Sequence, residues 1–187
     1  LLLTASPDLI LPTIHSRCQR VDLHPLSIEQ IAEALTTRWE VPGEEAQELA
    51  RLSNGCIGWA TEAWQDASIM ETRDRRLERL TDTVAAGLEE RFAYAAELAG
   101  LLPQQRTAMH ETLDLWAGWW RDLLVSKATS EEDTTSPVDG LTKGVLLAAV
   151  REVLRTQELL DMNINPRLAL ESLMLSLPTV ESTVFQQ

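Results

Sequence analysis

The chain has 187 residues, 44% of them apolar and 24% charged, a composition that excludes disordered, collagen-like and mucin-like classes. Twenty-nine acidic residues against 16 basic ones give a net charge of −13. That balance argues against a chain that wraps nucleic acid by itself, because phosphate binding needs a positive surface, but it leaves open membership of a DNA-handling assembly.

Leu1-Leu2-Leu3-Thr4 is a short apolar run stopped by the turn residues Ser6-Pro7-Asp8, and it predicts a strand. The absence of an initiator Met and of a basic leading segment sets this start apart from a signal peptide and reads as a piece of a longer protein, cut at the start of a buried strand. A brief helix is expected from Leu11 through Pro12 and Ile14 to about Arg17, then an extended connector at Val21, Leu23 and Pro25. Ser27 followed by Gln30 forms a capping box, opening a helix whose Ile28, Ile31, Ala32, Leu35 and Trp39 share one face and which Val41-Pro42-Gly43 closes. A second helix spans about Glu44 to Ser53 and stops at Asn54-Gly55, where glycine supplies the left-handed conformation. A third begins near Ile57 and turns Ala60, Ala63 and Trp64 inward.

Glu71 to Arg79 alternates acids and bases along a solvated helix, and Gly87 and Gly100-Leu101-Leu102-Pro103 mark breaks. Met109, Leu113, Trp116, Trp120 and Leu123 then form one apolar seam at spacings of 3 and 4. Thr129 to Gly140 is a polar loop and the best candidate for a mobile linker. Leu146, Val150, Val153 and Leu160 build the next helix. The last starts at Asn165-Pro166, cap and first helical position, and buries Leu170, Leu173, Met174 and Leu177, with a frayed tail beyond Pro178. With 31 Leu against 17 Val and Ile, the expected class is mainly α.

Self-contained chemistry is missing from the pattern. Cys18 and Cys56 have no zinc-ligand spacing and read as reduced intracellular thiols. His15, His24 and His110 are scattered, and no phosphate-cradling glycine loop or Ser/His/Asp set occurs. The carboxylate pairs Glu44-Glu45 and Glu131-Glu132 fit a helix start and a polar loop without catalysis. The longest apolar run, Val145 to Val150, is far short of the ~20 residues of a membrane helix.

One segment is more specific. Leu1 to Asp8, Leu11-Pro12-Thr13-Ile14 and Ser16-Arg17-Cys18-Gln19 resemble the end of the ATPase core in clamp-loader subunits of the AAA+ superfamily. The resemblance implies a sensor 1 position at Thr4 and a Ser16-Arg17-Cys18 motif whose arginine reaches a neighbouring subunit's ATP; a permanently charged, forked guanidinium suits that task. Leu49 to Ala60 resembles the sensor 2 helix of the lid, except that no arginine lies between Gly55 and Ala60 and Gly58 and Trp59 stand in that region. This departure is similar to the delta-prime family of bacterial DNA polymerase III clamp loaders, whose members act as stators. Trp116 to Leu124 and Asn163 to Glu171 resemble the collar bundle of that family, with Trp119, Arg121, Asn163, Asn165 and Arg167 as expected partner contacts.

The resemblance implies the tail of an AAA+ core at 1–24, a helical lid at 25–66, a linker helix and collar at 67–178, and a flexible tail at 179–187. It implies a cytoplasmic, structural subunit of a heteropentameric ring, without cofactor or metal and without catalysis of its own. Its partners would be the motor and delta subunits, with the sliding clamp and primed DNA engaged through the complex. The alternatives are an ATP-hydrolysing motor subunit of the same complex and a helical adaptor unrelated to replication.

Overall fold

A computed structural model describes residues 1–4, 10–101, 106–129, 140–162 and 164–180. All regular structure among these residues is helical: α1 (Pro12–His15), α2 (Ile28–Trp39), α3 (Gly43–Leu52), α4 (Ile57–Gln65), α5 (Ala67–Ala85), α6 (Leu88–Leu101), α7 (Arg106–Thr129), α8 (Lys143–Asp161) and α9 (Pro166–Ser176). The chain divides into two compact units, Leu1–Gln65 and Asp66–Gln187. Among the described residues no helix is long and apolar enough to cross a membrane.

The strand expected at Leu1–Thr4 does not form, and these residues are exposed without regular structure. A strand exists only in a ladder with a neighbour, and the described residues contain no other strand.

In the first unit the capping box closes as the sequence predicts. Gln30 N–H donates to Ser27 Oγ at 3.3 Å, and Ser27 N–H donates to Gln30 Oε1 at 3.0 Å. Ile31 and Leu35 are fully buried where α2 meets α3 and α4, facing Ala46, Leu49, Ala50, Ala60 and Ala63. Two expected core residues lie outside. Ile28, the first residue of α2, is exposed, and Trp64 is 39% exposed. The inner face of α4 is made by alanines, which let the helices approach closely and turn Trp64, one residue past Ala63, about 100° away. Helix α2 ends at Glu40, whose φ of 57° is left-handed, and Val41 then plugs the core; Gly43 opens α3 instead of closing α2.

In the second unit α7 packs along α8, α6 and α8 both pack on α9, and α5 lies on α6 and α7. The predicted seam is the centre of this bundle: Met109, Leu113, Trp116 and Trp120 are buried, and Leu123 is partly buried against them. Leu146, Val153 and Leu160 face them from α8, with Val150 partly buried, and Leu170, Leu173, Met174 and Leu177 from α9. Asn165 caps α9 by accepting from the N–H groups of Arg167 (3.0 Å) and Leu168 (3.4 Å). The stretch Glu71–Arg79 is not wholly solvated, because Leu77 within it is buried, as is Leu80 just past its end. Most of the polar loop, residues 130–139, and the tail residues 181–187 lie outside the described residues. Fraying does not begin at Thr179: Val180 is 4% exposed and its N–H donates to Val84 C=O at 3.3 Å, because an apolar side chain and an open carbonyl at the end of α5 hold it.

Arg91, in the first turns of α6, is 4% exposed and has no carboxylate partner among the described residues. Its guanidinium donates to the carbonyls of Met174 (2.9 Å), Leu177 (2.8 Å) and Pro178 (3.2 Å), to Val84 C=O, and to Thr179 Oγ1 (3.2 Å). These acceptors sit where α9 and α5 end, and helix C-termini carry unsatisfied carbonyls and partial negative charge. Burial lowers the Arg91 pKa from its ordinary value, yet arginine remains charged at neutral pH. Removing the guanidinium leaves several buried carbonyls unpaired, so Arg91→Met is expected to cost on the order of 3 kcal/mol or more. Arg91→Lys, which lacks the fork, should recover only part of it. Urea unfolding followed by circular dichroism checks both.

Candidate functional site

The Ser16-Arg17-Cys18 motif sits where α1 ends. Pro12 opens this single turn with its φ already helical, and Ser16, Arg17 and Cys18 close it: their N–H groups donate to Pro12 C=O (3.0 Å), Ile14 C=O (3.0 Å) and His15 C=O (3.3 Å). Ser16 Oγ donates to Thr13 C=O at 3.3 Å. Arg17 is exposed, and its side chain has no ion-pair partner among the described residues. Cys18 and Cys56 are both free and exposed, and no group of His, Cys, Asp and Glu among the described residues could hold a metal ion.

The connector after the motif is tied to the α3–α4 turn. Asn54 and Gly55 take φ of 50° and 88° there. Gly55 C=O accepts from Leu26 N–H at 3.0 Å, and a Cβ on Gly55 would lie 2.4 Å from Pro25 Cβ. Glycine at 55 is therefore demanded twice, by backbone conformation and by contact. Gly58 is different: it lies in the first turn of α4, exposed, and a Cβ there would meet nothing within 4 Å. Trp59 is half-buried on the same helix. Among the described residues no hydrogen bond or ion pair joins Ser16, Arg17 or Cys18 to Gly55, Gly58 or Trp59, and Thr4 lies in the opening residues, which have no regular secondary structure.

In the second unit the expected partner contacts divide. Trp119 is partly buried with its ring edge against Trp120, centroids 4.6 Å apart. Arg121 is half-exposed and pairs with its neighbour Asp122 at 3.1 Å. Asn165 serves as the α9 cap, and exposed Arg167 pairs with Glu171 one turn on at 2.7 Å. Asn163 lies outside the described residues.

A concavity missed by the sequence reading is formed by α5, α6 and α7. Arg75, Arg76 and Arg79 line it from α5, above Tyr94, Leu98 and Met109. The Arg79 guanidinium lies 4.9 Å from the Tyr94 ring centroid. Burial pushes the Tyr94 hydroxyl up to about 12, and Glu97 adds to the rise while Arg79 and Arg76 oppose it. The available signal was the spacing of arginines 75, 76 and 79, which puts them on one face of a helix.

No protein-family model, no curated protein and no solved structure matches this chain.

Two outcomes test this local chemistry. Gly55→Ala should cost about 1–3 kcal/mol, whereas Gly58→Ala should be neutral or stabilise by up to ~1 kcal/mol; thermal melts of both variants decide. Tyr94 is the single tyrosine, so tyrosinate absorbance reports it alone, with a midpoint expected near 12. Because the folded state holds this proton more tightly than the unfolded one, stability should be lost as pH climbs from about 10 to 12, by roughly 2 kcal/mol. Tyr94→Phe should lack that loss in urea titrations.

Proposed function

We propose that the chain is part of a stator-type subunit of a bacterial sliding-clamp loader, acting by position and by a trans-acting arginine. In this reading residues 1–24 are the end of an AAA+ core, 25–66 the lid and 67–178 the linker helix and collar bundle. The observation that carries it is the Ser16-Arg17-Cys18 segment at the end of α1, with Arg17 exposed and no ion-pair partner among the described residues. A guanidinium held that way suits charge stabilisation on a phosphoryl group that a neighbouring subunit brings.

Two further features support the reading. Leu1, Leu2, Leu3, Leu11, Val21 and Leu23 are all exposed, and apolar side chains gathered along one segment suit a contact surface. The turn before α4 is shaped by Gly55 and followed by Gly58 and Trp59, with no arginine between Gly55 and Ala60 to serve a nucleotide in the same subunit. Assembly would rest on the second unit, where Trp119, Arg121 and Arg167 keep exposed or partly exposed surface.

Arg17→Ala in the full-length subunit is the direct test, after reconstitution with motor and delta subunits, clamp and primed DNA. The variant should fold and assemble, since Arg17 supports nothing locally. Arginine fingers are worth about 10³–10⁵ in rate at one site. Total ATP turnover should therefore fall in part, while clamp loading falls further, and Arg17→Lys should rescue poorly. Wild-type loading and turnover in Arg17→Ala would exclude the trans-acting role.

A further inference from the structure

We propose that the arginine-lined cleft between α5, α6 and α7 is a docking site for an acidic peptide segment of a partner protein, one that places an Asp or Glu beside a bulky apolar residue. The cleft lies within the second unit and stands independently of the clamp-loader reading.

Its shape sets the first requirement. The space is about 320 Å³, on the order of ten waters at ~30 Å³ each, enough for an apolar side chain and its neighbour. Leu98 and Met109, both nearly fully buried, form an apolar floor with the Tyr94 ring. Such a floor favours a ligand with an apolar group, because polar atoms set against it lose hydrogen bonds to water.

Charge sets the second requirement. In a chain of net charge −13, three guanidiniums line this one concavity from successive turns of one helix. Arg75 donates only to its own helix, to Glu71 C=O and Thr72 Oγ1, both at 3.2 Å, and has no carboxylate partner among the described residues. Arg76 and Arg79 each make a single ion pair of 3.3 Å, to Glu111 and Glu97, whose side chains are more than half exposed, and Arg79 also lies over the Tyr94 ring. Exposed single contacts of this kind are worth little and exchange readily, and a guanidinium has five donors to offer.

These two glutamates also select the ligand. They show that carboxylates fit the guanidiniums of Arg76 and Arg79, and their negative charge costs a densely charged polyphosphate or nucleic-acid backbone more than a peptide with one or two carboxylates. A peptide with one or two carboxylates can take over the guanidiniums while its apolar neighbour covers the exposed lining residue Leu101, beside the floor of Tyr94, Leu98 and Met109. This charge complementarity makes an acidic-apolar peptide the occupant.

The test uses the full chain and a random heptapeptide display library. Selection on the wild-type chain is expected to enrich sequences with Asp or Glu next to Leu, Phe or Trp. Fluorescence anisotropy with the synthetic peptides should then show saturable binding that weakens with salt. Arg75→Gln/Arg76→Gln, with its fold checked by circular dichroism, should bind at least tenfold more weakly. If that variant fails to fold, Arg75→Gln alone, which breaks no contact between helices, replaces it, with a threefold or larger loss expected. No enrichment, enrichment of neutral or basic peptides, or unchanged affinity in the folded variant overturns the proposal. So does a labelled single-stranded oligonucleotide that binds the wild type, loses binding in the variant and outcompetes every selected peptide.

Discussion

A single buried guanidinium closes the second unit. Arg91 spans more than eighty positions in sequence to reach the carbonyls of Met174, Leu177 and Pro178, and it also holds Val84 at the end of α5. Helices that end inside a protein leave carbonyls that water cannot reach. One forked cation, set among two C-terminal dipoles, satisfies several of them together and finds in those dipoles a substitute for a counter-ion. The same place receives Val180, whose N–H also donates to Val84. The closure of α6 on α9 and the route of the chain past α9 therefore depend on one side chain.

The two units reach stability by different means. The first is built from short helices and small contacts: alanines at 46, 50, 60 and 63 bring α2, α3 and α4 close enough to enclose Ile31 and Leu35. Its turns are correspondingly exacting, as Gly55 against Pro25 illustrates. The second encloses two tryptophans, and longer helices share the load through cross-helix contacts such as Gln157 with Asp114 at 2.7 Å and His110 with Asp161 at 3.2 Å. This difference leaves the first unit dependent on exact turns and the second on broad packing.

Much of the fold was legible because it rests on periodicity and caps. Ser27 with Gln30, Asn165 with Pro166, and the seam from Met109 to Trp120 act through local geometry, so the sequence displays them directly. Errors arose where a residue's environment comes from elsewhere in the chain. Trp64 is a large apolar residue beside the buried alanine face of α4, and only the crossing of α4 shows that it faces out. Arg91 is a charged residue in a helix, ordinarily a solvated one, and its burial is set by carbonyls that lie far along the chain. The arginines of α5 read as surface, and Arg75 and Arg79 are exposed, but nothing local tells that α6 and α7 complete a concavity beneath them. The motif around Arg17 is a local pattern that the sequence displays, and the structure adds that Arg17 is exposed at the end of α1, while the Leu1–Thr4 strand failed because a strand needs a neighbour that no local pattern supplies.

The tryptophans described above fall three to each unit, with Trp39, Trp59 and Trp64 in the first and Trp116, Trp119 and Trp120 in the second. Trp116 and Trp120 are sealed from solvent, and their indole N–H groups have no hydrogen-bond partner among the described residues. Indoles in so dry a setting emit at short wavelength, whereas Trp64 is open to water and emits at longer wavelength. The sealed pair thus gives the second unit a short-wavelength emission that exposure to water shifts to the red. A denaturant series that follows the loss of that blue-edge emission reads the melting of the second unit without any label.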